Sequence, residues 1–105
     1  MILFDFEYLR PETIEEAVTL LGQQAEAKLL AGGTDLLPNM RIEVVRPSHL
    51  VSLAGVAPDA PEEMPDGSLR IDALSRLSSL ENDELVERRA PMLGAAAHSV
   101  GGNQV

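Results

Sequence analysis

The chain has 105 residues, which suits one small domain, and 45% of them are hydrophobic, so a core can form. Acidic residues outnumber basic ones by 17 to 8, and the net charge of -9 argues against nucleic acid or an anionic membrane surface as partner. The absence of cysteine excludes disulfides, thiolate catalysis and cysteine-held metal sites within the chain. With neither a signal peptide nor a membrane-length apolar run, the sequence predicts a cytoplasmic protein without membrane insertion.

The N-terminal region predicts a strand followed by a capped helix. Apolar and acidic residues alternate over residues 4–8, which places the three aromatic side chains on one face of a half-buried strand. Thr13 and Glu16 fit a capping box, in which Glu16 reaches back to the N-cap Thr13. The following helix is predicted to bury an apolar stripe and to end near Gly22. The stripe consists of Ile14, Ala17, Val18, Leu20 and Leu21.

The next segment predicts a strand, a glycine turn, a short helix and a second strand. The strands are expected over residues 28–31 and 49–53, and the helix over residues 35–41. This order favours a parallel pair of strands.

The second half predicts a hairpin and then helices. Residues 62–64 are expected to pair with residues 69–73 around the turn Asp66-Gly67. A leucine stripe at residues 74, 77 and 80 indicates a helix, and a final helix is expected to begin at Pro91. The whole pattern predicts an α/β (α+β) fold with a small, mostly parallel sheet and flanking helices.

The segment that is most able to carry chemistry is residues 29–37, Leu-Leu-Ala-Gly-Gly-Thr-Asp-Leu-Leu. A diphosphate needs several converging backbone N–H groups and no side chain in its way, and glycine meets both needs. A helix that begins just afterwards adds the positive end of its dipole. Thr34 can donate its hydroxyl to a phosphate oxygen, whereas Asp35 is expected to cap the helix. The alternative is that Gly32-Gly33 is only a tight turn, and spacing alone favours that alternative.

Other chemistry-bearing residues give weaker indications. His49 and His98 have no second ligand at metal spacing, so no metal site is predicted; His49 is expected at the surface or an edge, and His98 half-buried. The carboxylate pairs are adjacent in sequence and do not face each other, and no serine has a histidine and an acid around it, so no catalytic residue is predicted. The segment Gly101-Gly102-Asn103 is either a second phosphate loop or a helix C-cap, with the C-cap favoured.

Two segments, residues 6–17 and residues 29–37, resemble the N-terminus of the FAD-binding (medium) subunits of molybdenum hydroxylases. That family includes the flavin subunits of carbon monoxide dehydrogenase, xanthine dehydrogenase and 4-hydroxybenzoyl-CoA reductase. Residues 50–53 and 69–73 resemble later strands of the family, although Asp72 stands where glycine is usual. The resemblance implies the N-terminal lobe of the FAD-binding fold shared with p-cresol methylhydroxylase and vanillyl-alcohol oxidase.

The resemblance further implies that the first glycine loop binds the diphosphate of FAD. The residues that match this loop are Leu29, Leu30, Ala31, Gly32, Gly33, Thr34, Asp35 and Leu36. The family has a second glycine loop, but Gly101-Gly102-Asn103 aligns better with the segment before it, so the second loop is expected beyond Val105. Residues 1–105 are therefore expected to be a lobe that is incomplete at its C-terminus and binds FAD weakly or not at all on its own.

The resemblance implies an electron-transfer function. FAD in the complete protein would receive electrons from an iron–sulfur subunit, after substrate hydroxylation on a molybdopterin subunit. Two alternatives remain at this point: a truncated, non-catalytic module that only contacts partner subunits, and a generic small acidic α/β domain.

Overall fold

The computed structural model describes residues 1–101. Backbone contacts divide the chain into two compact units, Met1–Ala57 and a second unit that begins at Pro58. Each unit has its own strands, helices and buried side chains.

The first unit is built on a three-stranded parallel sheet in the order β1-β3-β2. The strands are β1 (Glu7–Leu9), β2 (Ala27–Leu30) and β3 (His49–Ser52). Tyr8 on one side and Lys28 on the other both pair with Leu50 of the central strand. The predicted parallel pairing of the second and third strands is confirmed. The last three residues of β3 are buried, as expected for a central strand of a parallel sheet.

The prediction of a first strand over residues 4–8 is wrong at its start. Pairing begins only at Glu7, whose N–H donates to the carbonyl of Ser48 at 2.9 Å. Phe4 and Phe6 instead pack edge to face, with ring centroids 6.2 Å apart. Tyr8 on β1 is 55% exposed, so the three aromatic side chains do not share one buried face.

Helix α1 (Ile14–Gln23) begins as the sequence predicts. The hydroxyl of Thr13 accepts a hydrogen bond from the N–H of Glu16 at 3.1 Å. The returning contact differs, because the Glu16 carboxylate accepts from the N–H of Glu12 at 3.2 Å and not from that of Thr13. The helix ends at Gln23, one residue beyond Gly22, near the predicted end.

The apolar stripe of α1 is only partly buried. Ala17 is buried, whereas Ile14 and Val18 are 49% and 64% exposed. The helix therefore covers the sheet through a narrower face than the stripe predicts. The hydrophobic core of this unit is completed by side chains on α2 (Leu36–Arg41), on β3 and just after it; they are Met40, Leu50, Val51 and Val56.

The second unit contains the predicted hairpin and three helices. Strands β4 (Glu62–Glu63) and β5 (Leu69–Arg70) pair antiparallel, which confirms the hairpin. Gly67 in its turn has a φ of +88°, a conformation that glycine adopts readily. The helices are α3 (Leu77–Glu81), α4 (Glu84–Arg89) and α5 (Pro91–Gly101).

The core of the second unit is small and aliphatic. Leu80, Val86 and Ala97 form a buried cluster, with Ile71 and Leu93 packed against it. Helix α5 begins at Pro91 as predicted, but Leu74 lies before α3, so the predicted stripe of three leucines does not belong to one helix. Gly101 is the last residue of α5, and the rest of the segment Gly101-Gly102-Asn103 lies outside the described residues.

Among residues 1–101, the structure contains no helix with the length and apolar character that crossing a membrane requires.

Candidate functional site

The loops that follow the three parallel strands leave the sheet at one edge. The chain enters these loops after Leu9, Leu30 and Ser52, the carboxyl ends of β1, β2 and β3. Ligands of open α/β sheets bind in the crevice outside the carboxyl ends of the strands. The predicted glycine loop follows β2 and therefore lies at this edge.

The backbone of the glycine loop presents a run of unpaired donors. Strand β2 ends at Leu30 and α2 begins at Leu36. In the described part of the chain, none of the N–H groups of residues 31–36 donates to a protein acceptor. The first paired amide is that of Leu37, which donates to the carbonyl of Gly33 at 3.1 Å. Six consecutive N–H groups are thus available to an external acceptor such as a phosphate oxygen.

The two glycines of the loop have different physical reasons for being glycine. Gly33 has a φ of +76°, a conformation that most other residues adopt only with strain. A Cβ on Gly32 would meet no non-neighbouring atom of the described residues within 4 Å. The fold itself therefore does not demand a glycine at residue 32. The open space there leaves the backbone accessible to a bulky anion.

Asp35 occupies the N-cap position of α2 but does not cap it. Its side chain makes no capping hydrogen bond within residues 1–101, so the predicted capping role is wrong. The reason lies in its backbone, since φ of -108° and ψ of -49° are helical values and a capping side chain needs an extended N-cap. Thr34 is exposed beside it, and its hydroxyl is accessible from solvent.

Helix α2 is only six residues long. A short helix sums few peptide dipoles, so the positive charge at its N-terminus is smaller than that of a long helix. The dipole therefore supports anion binding less than the sequence predicts. The unpaired N–H groups of the loop are the stronger feature, because each can donate to an anion without a helix behind it.

Sequence reasoning did not select two residues that the sheet brings to the same edge. The guanidinium of Arg10, which follows β1, lies 3.5 Å from the carbonyl oxygen of Ala54, which follows β3. The N–H of Ala54 donates to the hydroxyl of the buried Ser52 at 3.2 Å. Once the parallel pairing is predicted, the positions just after each strand are the signal that would have identified both residues.

The two histidines compare differently with the prediction. His49 begins the central strand β3 and not an edge strand, and its side chain is partly exposed, with Nδ1 2.8 Å from the hydroxyl oxygen of Ser48. His98 is expected to be half-buried, but it is exposed on α5 and its Nδ1 contacts the carboxylate of Glu81. Among residues 1–101, no three histidine, aspartate or glutamate side chains are grouped so that they could hold a metal ion.

The carboxylates of the hairpin unit have structural roles. Glu62 lies 3.9 Å from Arg70, and Glu63 pairs with Arg89. The carboxylate of Asp72 accepts from the N–H of Leu74 at 2.8 Å and from that of Asp59 at 3.1 Å. These two bonds lower the pKa of Asp72 below its ordinary value. The carboxylate of Asp72 thus links the chain before β4, at Asp59, to the turn that follows β5.

Residues 4–105 match the model of the family described as the FAD binding domain in molybdopterin dehydrogenase. The chain belongs to this family. The predicted resemblance to the FAD-binding subunits of molybdenum hydroxylases is thereby confirmed, and FAD is the family's cofactor.

Relatives within the family share substantial sequence identity with the chain. The xanthine dehydrogenase FAD-binding subunit of Escherichia coli O157:H7 is 38% identical over 105 residues, which cover 98% of this chain and 36% of that protein. The carbon monoxide dehydrogenase medium chain of Hydrogenophaga pseudoflava is 38% identical over 102 residues, which cover 95% of this chain and 35% of that protein. The chain thus spans about a third of the length of these relatives.

Solved structures support the same fold. Reconstituted CO dehydrogenase from Oligotropha carboxidovorans matches with a TM-score of 0.85 and 29% identity, over 93% of this chain and 35% of that chain. Quinoline 2-oxidoreductase from Pseudomonas putida 86 matches with a TM-score of 0.78 and 26% identity, over 92% of this chain and 34% of that chain. The predicted mixed fold, with a small parallel sheet and flanking helices, is confirmed.

Proposed function

We propose that this chain is the N-terminal lobe of a subunit that holds FAD and passes electrons within a molybdenum-containing hydroxylase or dehydrogenase. The diphosphate of FAD binds to the loop that comprises Leu29, Leu30, Ala31, Gly32, Gly33, Thr34, Asp35 and Leu36. The observation that carries this proposal is the run of unpaired N–H groups over residues 31–36 in a member of an FAD-binding family. The family match does not favour an inert module or a generic acidic domain.

The residues of the loop fit a diphosphate by their chemistry. Backbone N–H groups bind phosphate oxygens without a lysine or arginine, which suits a chain with a net charge of -9. Gly32 leaves room for the phosphates to approach, and the exposed hydroxyl of Thr34 supplies one further donor. The carboxylate of Asp35 repels phosphate, so Asp35 faces a hydroxyl group or solvent.

FAD supplies the redox chemistry when it is bound, and the residues of this chain bind and orient it. We assign no catalytic residue to residues 1–105, because the proposed role of this chain is to bind and orient FAD.

The partners of the complete protein are an iron–sulfur subunit, which delivers electrons to FAD, and a molybdopterin subunit, which oxidises the substrate. The names of the relatives support a multi-subunit enzyme, since they are called a FAD-binding subunit and a medium chain. A cytoplasmic location is part of the same proposal.

Flavin content of the purified full-length protein tests the proposal. We expect a yellow protein whose FAD can be removed and then restored with saturable, one-to-one binding. The isolated 105-residue chain should bind FAD weakly or not at all in the same titration. A colourless full-length protein that FAD does not reconstitute would contradict the proposed function.

A further inference from the structure

The side chain of Leu37 lies directly against the Cα of Gly33. A Cβ on residue 33 would stand 2.8 Å from Cδ1 of Leu37 and 3.1 Å from its Cγ. It would also stand 3.2 Å from Cδ1 of Leu30, the last residue of β2. Two leucine side chains, one from the strand before the loop and one from the helix after it, therefore occupy the space that a side chain on residue 33 would enter.

This contact follows from how a leucine is oriented in a helix. Leucine side chains point back toward the helix N-terminus and cover the residue one turn earlier. For Leu37 the residue one turn earlier is Gly33, and the N–H of Leu37 also donates to the Gly33 carbonyl at 3.1 Å. Backbone and side chain of Leu37 thus both fix Gly33, at the point where the chain takes its φ of +76°.

We propose that Leu37 is a positioning residue for the cofactor diphosphate. By packing on Gly33, Leu37 fixes the conformation of that residue, and the conformation sets the directions of the N–H groups of residues 34–36. The position of the Leu37 side chain also explains in steric terms why residue 33 is a glycine. This inference rests on the proposed function, because it concerns how well the same loop binds FAD.

Two separate costs oppose a side chain at residue 33, and substitution can separate them. The positive φ disfavours most residues but is tolerated by asparagine. The contact with Leu37 disfavours any Cβ, but its nearest atom is the end of a side chain that can be shortened. In Gly33→Asn the φ cost is therefore small and Leu37 must move. In Gly33→Asn combined with Leu37→Ala, the Leu37 contact is absent.

A double-mutant cycle on the full-length protein tests the coupling, with FAD dissociation constants from flavin fluorescence titration of the apoprotein. We expect Leu37→Ala and Gly33→Asn each to weaken FAD binding about tenfold or more, the loss associated with one hydrogen bond to a charged group. The fold-loss of FAD affinity in the double variant should be clearly smaller than the product of the fold-losses in the two single variants. Leu37→Met should bind FAD nearly as well as the native protein.

Ile42→Ala is the matched control, because Ile42 is a 70% exposed apolar residue just after α2, and the three atoms nearest to a Cβ on residue 33 belong to Leu37 and Leu30 instead. It should leave FAD affinity unchanged. Thermal unfolding of each apoprotein checks that Leu37→Ala changes FAD affinity in a protein that remains folded.

The outcomes distinguish this inference from the proposed function. If the single variants weaken FAD binding and the double variant shows the full product of their losses, Leu37 does not position Gly33, while the loop still binds FAD. If Leu37→Ala binds FAD as the native protein does, the inference is likewise overturned. If the native full-length apoprotein does not bind FAD, the proposed function itself fails.

Discussion

Gly55 lies against the backbone of Pro11: a Cβ on residue 55 would stand 2.6 Å from the carbonyl oxygen of Pro11. Pro11 is buried just after β1, and Gly55 comes just after β3. The contact joins two of the three loops at the carboxyl edge of the sheet, next to the hydrogen bond from Arg10 to Ala54. Because the facing atom belongs to the backbone, it cannot rotate away from an added methyl group.

The first prediction concerns this contact. Gly55→Ala should lower the free energy of unfolding by about 1–3 kcal/mol, the usual cost of an overpacked site whose neighbours must shift. Urea denaturation of the native and variant proteins measures the change. A variant as stable as the native protein would show that the loops separate at little cost.

Gly22→Ala is the matched glycine substitution, and it should raise the free energy of unfolding where Gly55→Ala lowers it. Gly22 lies within α1, and a Cβ there would meet no atom beyond its own helix within 4 Å in the described chain. Alanine is favoured over glycine in a helix, so we expect an increase in the free energy of unfolding of about 0.5–1 kcal/mol. A loss of stability in the same denaturation series would contradict this account of α1.

A second pair of substitutions separates a true helix cap from an apparent one. Thr13→Ala removes the acceptor for the N–H of Glu16 and should cost about 1 kcal/mol of unfolding free energy, whereas Thr13→Ser should retain most of it. Asp35→Ala should change the stability of the apoprotein by less than about 0.5 kcal/mol, because Asp35 makes no capping bond. Equal losses for the two alanine variants would refute the distinction.

Acid should destabilise the second unit, which contains the hairpin of β4 and β5, because it protonates two carboxylates there. Hydrogen bonds from the hydroxyl and the N–H of Ser68 lower the pKa of Asp66, and those from the N–H groups of Leu74 and Asp59 lower the pKa of Asp72, both from an ordinary value of 3.8. With folded values below the unfolded ones, this stabilisation is fully present above 3.8 and is lost as the pH falls through the lower folded values.

Urea-denaturation midpoints measured from neutral pH to below 3.8 test this sign, with 3.8 as the ordinary pKa of both groups. Asp66→Asn combined with Asp72→Asn should make the acid limb of the stability curve shallower than in the native protein. Identical acid limbs in the two proteins would contradict the assigned role of these carboxylates.

The elements of the fold could be predicted where a local signal determines them. The capping hydroxyl of Thr13 and the Asp66-Gly67 hairpin follow from residues that are close in sequence. The parallel strands around the glycine loop follow from the order strand, turn, helix, strand. The failures depend on tertiary contacts. The first strand, for example, begins only at Glu7, where β3 pairs with it.

In the candidate site, too, the features that local sequence determines could be predicted and those that depend on contacts between distant segments could not. Its loop is one contiguous segment, so the glycine pattern together with the family resemblance predicts it, although spacing alone favours a tight turn. The orientation of Asp35 depends on the entry angle of α2, and the contact of Gly55 with Pro11 joins residues from different strands. No spacing rule reports such contacts. The packing of Leu37 on Gly33 is local, but it requires the exact start of the helix.

The FAD dissociation constant of Gly32→Ala in the full-length protein tests the central claim most directly. A methyl group at residue 32 has open space in the fold, so the unfolding midpoint of the apoprotein should not fall. The same methyl group would occupy the approach of the phosphates, and we expect FAD binding to weaken by about tenfold or more. An unchanged dissociation constant in a protein of unchanged stability would contradict the assignment of this loop to the FAD diphosphate.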